Sequence, residues 1–173
     1  MSTRSTLTIK TDTTTINLYR HMDGYVAEAG NTIAQLLNKV LDAKNAWQHP
    51  GVKLAEEIMK QQYEATKYRS AWPIYELTDN PKLHSDREYH YEVDYSNNSF
   101  SISVYEWGYN KPGGIIFRGN LEGYERFVAE AVAEQDKRIK AYEEKLKFTG
   151  YHGIYPNKRK RPITVTGRRT QKV

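Results

Sequence analysis

Tyr89-His90-Tyr91-Glu92-Val93-Asp94-Tyr95-Ser96-Asn97-Asn98-Ser99-Phe100-Ser101-Ile102-Ser103-Val104-Tyr105 is the stretch that decides the fold. Tyr89, Tyr91, Val93 and Tyr95 alternate with His90, Glu92 and Asp94. Phe100, Ile102 and Val104 alternate with Ser101, Ser103 and Tyr105. Successive side chains of a strand point to opposite faces, so each run reads as a half-buried strand. Asparagine tolerates positive φ, so Asn97-Asn98 between polar neighbours predicts a hairpin turn.

The same period recurs on both sides. In residues 5–10, Leu7 and Ile9 oppose Thr6, Thr8 and Lys10; in residues 15–21, Ile16 and Leu18 oppose Asn17, Tyr19 and His21. The short polar link between them predicts an N-terminal hairpin, without the usual Asn-Gly or Asp-Gly turn. Pro73 to Leu77 and the glycine-bounded run 113–119 add two short strands, the first at an edge because it opens on proline. Helical spacing governs the rest. Val26, Ile33, Leu37, Val40 and Leu41 predict a helix over 25–44, with Asp23 as its N-cap acceptor and Gly30 as a close approach or a break. Leu54, Ala55, Ile58 and Met59 predict a second helix from Pro50 to about Lys67. Asn120 caps a third, whose apolar stripe runs from Leu121 through Phe127, Val128, Ile139, Tyr142 and Leu146 to about Phe148. The expected fold is therefore α+β. An antiparallel sheet of four to six strands carries three helices packed mainly on one face. Residues 1–150 form the domain and 151–173 a flexible basic tail.

Composition narrows the function classes. The chain of 173 residues has no cysteine, which excludes disulfides, thiolate metal sites and a cysteine nucleophile. Mean hydropathy is −0.81, and no apolar run approaches the roughly 18 residues of a membrane span. No signal-like segment opens the sequence, so a cytosolic protein is expected. Charge is uneven. The end of the chain carries Lys158, Arg159, Lys160, Arg161, Arg168, Arg169 and Lys172 with no acid, while the overall net charge is +5. Such a tail could grip nucleic-acid phosphates by counterion release, although short solubilising tails are commoner.

Candidate sites are few. Tyr19, His21, Asp23 and Tyr25, with Arg20, gather where a strand meets a helix. An imidazole beside a carboxylate can move protons, and helix-start amides attract a phosphate or carboxylate. The alternative is that these groups satisfy the backbone of the corner. His84, Asp86, Glu88, His90, Glu92 and Asp94 share spacings that could hold a divalent ion. They lack a recognised ligand pattern, so no metal and no cofactor is assigned. Tyr89, Tyr91 and Tyr95 are expected to face the long helix, leaving Tyr105, Trp107 and Tyr109 as candidate surface aromatics for a partner.

Ser2-Thr3-Arg4-Ser5-Thr6, Tyr19-Arg20-His21, Asp23-Gly24-Tyr25 and Gly30 carry a resemblance. The opening of the chain resembles a group of uncharacterised bacteriophage and prophage proteins with a Tyr-x-His-Trp-Asp-Gly-Tyr-Pro pattern. Met22 and Val26 stand where that pattern has Trp and Pro. The resemblance covers about thirty residues and brings no catalytic residues. It implies a phage accessory protein of the host bacterial cytoplasm. The expected function is a non-enzymatic binder or inhibitor of a host or anti-phage defence protein. The alternatives are a nucleic-acid-binding protein using the tail and surface aromatics, and a small nucleotide- or anion-binding protein. No membrane partner is expected.

Overall fold

The structure is a computed structural model that describes residues 3–42, 49–66, 74–81, 84, 86–97, 99–107 and 113–149. The chain divides into Met1–Arg138 and Ile139–Val173. The first unit holds β1 (Ser5–Lys10), β2 (Thr15–Arg20), a π-helical turn (Val26–Gly30), α1 (Asn31–Leu41), α2 (Pro50–Thr66), β3 (Tyr75–Leu77), β4 (Tyr89–Asp94), β5 (Ser101–Glu106) and β6 (Gly114–Gly119). It also holds the first part of α3 (Leu121–Thr149), whose later turns open the second unit.

The architecture is α+β, with a six-stranded sheet in the order β3-β2-β1-β4-β5-β6. Leu7, Ile9, Leu18, Tyr91, Val93, Ile102 and Val104 share a core with Ile33, Leu37, Leu54, Ile58, Tyr124 and Val128 of the helices. Tyr91 and Tyr124 are the largest side chains sealed in it. The sheet is mixed rather than wholly antiparallel, because β1 and β4 pair in parallel, from Ser5↔Tyr89 to Lys10↔Asp94. Alternation assigns faces to a strand but says nothing of its direction or neighbours. Parallel neighbours need a crossover, and the chain supplies one through α1, α2 and β3.

Both hairpins form. In the first, the Thr11 hydroxyl replaces an Asn-Gly turn, accepting from the Thr14 amide at 3.0 Å. In the second, Asn97 sits at φ 55 and its amide donates to Asp12 Oδ1 at 2.6 Å, tying the two turns together. Asn120 caps α3 by accepting the Gly123 amide at 3.0 Å.

Three expectations need correction. Asp23 does not cap the first helix: it is exposed with φ 53, and the Tyr25 carbonyl accepts from Glu28 and Ala29 instead. The left-handed Asp23 turns the chain so that the Gly24 amide reaches Thr3 O at 2.9 Å. A Cβ on Gly24 would lie 2.6 Å from the Arg4 carbonyl carbon, so only glycine fits there. The predicted helix over 25–44 is in fact a π-helical turn followed by α1, joined at Gly30, whose carbonyl accepts from Tyr124 Oη at 3.2 Å. Gly30 is thus both the break and the close approach. Third, the α3 stripe is not buried along its length, because Ile139 and Tyr142 are exposed.

Candidate binding site

The corner residues do not converge. Adjacent positions on β2 send Tyr19 and Arg20 to opposite faces of the sheet, as the strand period requires. Tyr19 lies on the face away from the helices, stacked on His84 at 3.9 Å and edge-on to His21 at 4.7 Å. Its hydroxyl donates to Asp86 at 3.2 Å, and Arg4 pairs with the same carboxylate at 2.9 Å. Burial, then the Asp86 charge, push the Tyr19 phenol up to about 12. His21 pairs with Glu76 of β3 at 3.1 Å. Asp23 is exposed, and the Tyr25 hydroxyl accepts from Gln135 on α3 at 3.1 Å.

His84 and Asp86 reach Tyr19 because of topology. β3 runs antiparallel to β2, β2 to β1, and β1 is parallel to β4. So β3 and β4 point the same way, and the connection between them must travel back along the sheet. His84, Asp86 and Arg87 lie on it. Arg87 stacks over Trp107 at 4.7 Å and also donates to Pro81 O.

Further along this face, polar groups close on one another. Thr6 Oγ1 and His90 Nδ1 share a hydrogen bond of 2.8 Å, Thr8 donates to Asn17, and Lys10 pairs with Glu92. Burial, with Arg87 adding repulsion, pushes the His90 imidazole down to about 4, so it is neutral at pH 7. Ser96 hydrogen bonds hold Asp94 below the usual carboxylate range. The candidate metal ligands are thereby spread over different partners. No group of three or more His, Asp and Glu among the described residues is placed to hold a metal ion. A threonine hydroxyl on an imidazole has the composition of a nucleophile and its base. Here Thr6 is 0% exposed, so no substrate reaches it.

Of the expected surface aromatics, Tyr105 is half-buried against His90 at 5.5 Å, and Trp107 is half-buried beneath Arg87. Both are therefore less available than the sequence suggested. Tyr109 and the tail cations Lys158, Arg159, Lys160, Arg161, Arg168, Arg169 and Lys172 lie outside the described residues. Tyr91 is in the core as expected, with its hydroxyl donating to Gly24 O at 2.9 Å. The Tyr95 ring instead meets His49 and Phe100.

Two features go beyond the sequence analysis, the burial of Arg20 and the edge position of β6. The first is Arg20, which is 7% exposed on the helix face. Its Nε donates to Met22 O and its Nη1 to Tyr75 Oη, each at 2.7 Å, and it faces the Tyr75 ring at 5.0 Å. No carboxylate among the described residues pairs with it. The signal was present, since Arg20 continues the inward parity of Ile16 and Leu18. The second is β6, an edge strand with Ile115 50% and Ile116 39% exposed. Phe117 anchors it, stacking on Phe127 at 5.1 Å and meeting Tyr124 at 5.6 Å.

The chain matches no family model, no curated protein and no solved structure. No helix among the described residues is long and apolar enough to cross a membrane.

Proposed function

We propose that the chain is a non-enzymatic binding protein that takes an extended strand of a protein partner against the outer edge of β6. The observation that carries this reading is the edge itself. Gly114-Ile115-Ile116-Phe117-Arg118-Gly119 is six residues long, has no proline or lysine, and exposes two isoleucines. Native proteins blunt such edges with short strands, charges or bulges, since unpaired backbone groups template pairing with another chain. Arg118, the strand's one charge, is turned back to Ser103 Oγ at 3.2 Å. A bulge opposite Val104 and Tyr105 bends the pairing with β5 but leaves the outer side without a strand among the described residues. Strand addition draws its affinity from main-chain hydrogen bonds and its specificity from alternate side chains.

The Thr6–His90 couple is sealed from solvent, so it lends no support to catalysis. The resemblance of the opening to phage and prophage proteins supports an accessory role in the host cell, with a host or anti-phage defence protein as the partner. The test is affinity capture from bacterial lysate with and without nuclease, using the full chain and an Ile115→Lys/Ile116→Lys variant. The proposal expects a nuclease-resistant protein captured by the first and lost from the second. Capture that nuclease abolishes would instead favour nucleic-acid binding through the tail. A homodimer disrupted by the same substitutions would make the occupant a second copy and overturn the reading.

A further inference from the structure

We propose that the cleft beside Arg20 binds a small oxyanion, the carboxylate or phosphate group of a ligand. The cleft offers about 140 Å3, and its polar wall is Arg20, Thr32, Gln61, Gln62 and Tyr75. One water needs about 10–15 Å3 of such space, so the cleft has roughly ten times that room.

Its buried charged group is a pure donor. A guanidinium has five N–H donors and no acceptor. Arg20 uses one on Met22 O and one on Tyr75 Oη, and the others meet no acceptor among the described residues. Tyr75 Oη accepts from Arg20, so its own proton is left to donate, and no acceptor among the described residues takes it. The Thr32 proton is already spent on Glu28 O at 2.9 Å, and Gln62 Oε1 accepts the Tyr75 amide. Among the described residues the cleft therefore holds a buried positive charge without a counter-charge, with guanidinium N–H groups and the Tyr75 hydroxyl left to donate. Water could accept hydrogen bonds there but would leave the charge unmatched. A cation would add to the repulsion, and an apolar ligand would match neither need. An oxyanion supplies both acceptors and charge, and its geometry suits the fork of a guanidinium. Arg20 lies on β2 beside β3, at the opposite side of the sheet from β6, so this site and the strand-binding edge stand or fall separately.

The test is thermal unfolding of the full chain in phosphate, in acetate and in chloride at equal ionic strength. At about 100 times Kd, an anion bound only by the folded state should raise Tm by roughly 5–10 °C. That rise should vanish in Arg20→Met. It should vanish also in Gln61→Glu, which keeps Arg20 but sets a carboxylate at the cleft from an exposed position. If Arg20→Met fails to fold, Gln61→Glu decides. The larger of the phosphate and acetate shifts identifies which group the cleft takes. A shift equal in the wild type and Gln61→Glu, or no shift in either anion, would overturn the assignment.

Discussion

The two edges of the sheet are built on different plans. β3 is three residues long, and its central residue Glu76 pairs with His21, the residue that follows β2. Its first residue, Tyr75, is held by the Gln62 side chain and by Arg20. Only Leu77, at its end, is widely exposed. β6 is twice as long, flanked by glycines, and presents Ile115 and Ile116 to solvent. A short edge whose side chains are tied to its own sheet has little to offer another chain. A long edge with free backbone and apolar side chains has both parts of a strand-binding site. The difference teaches that, among the described residues, the sheet ties down the side chains of one edge strand and leaves those of the other exposed.

The largest effect should come from what holds the open edge in place. Tyr124 is 0% exposed, meets Phe117 of β6 and bonds Gly30 O. Tyr124→Ala should cost about 3–5 kcal/mol in chemical denaturation, as core aromatic truncations do. A cost below about 1 kcal/mol would detach β6 from the core account. Next comes the middle of the sheet, which supports both edges. The folded His90 value of about 4 lies below the ordinary 6.5, so the unfolded chain takes up the proton first. The stability this group contributes is whole above pH 6.5 and is lost as pH falls toward 4, on the order of 3 kcal/mol. His90→Gln should flatten the stability–pH profile over that window, and an unchanged profile would show that His90 is not the titrating group.

Smaller effects distinguish the edges directly. Tyr19→Phe removes the bond to Asp86 beside β3 and should cost about 0.5–1.5 kcal/mol. His21→Ala loses a partly exposed side-chain contact with Glu76 and should cost about 0–1 kcal/mol. Ile115→Lys/Ile116→Lys should change stability least, by about 0.5 kcal/mol per site or less, because surface substitutions rarely do more. A large loss there would mean that the isoleucines serve folding rather than binding.

Much of this was legible from period and turn chemistry. Leu7, Ile9, Tyr91, Val93, Ile102 and Val104 alternate in the sequence and are buried in the structure. Asn97 and Asn120 were assigned their turn and cap from side-chain chemistry alone, and both hold. What could not be read were relations between distant segments. The parallel pairing of β1 with β4 depends on the crossover, so it also hid the return of His84 and Asp86 over Tyr19. Asp23 is no cap because the chain enters a π-helical turn at Val26 with Tyr25 in the cap position, and local capping rules assume an α-helix. Arg20 shows the conflict between two rules. Parity placed it inward, charge argued outward, and parity won with Tyr75 as the partner. The free edge of β6 was invisible because alternation does not reveal strand order.

Amide hydrogen exchange of the full chain, with and without its captured protein partner, tests the central claim most directly. Free, the outer amides of Gly114–Gly119 should exchange faster than those of β1 and β4, which are paired on both sides. With the partner bound, protection should appear along β6 and leave Tyr75–Leu77 unchanged. Protection confined to β3 or to the Tyr19–His90 face, with β6 still exchanging freely, would contradict the account.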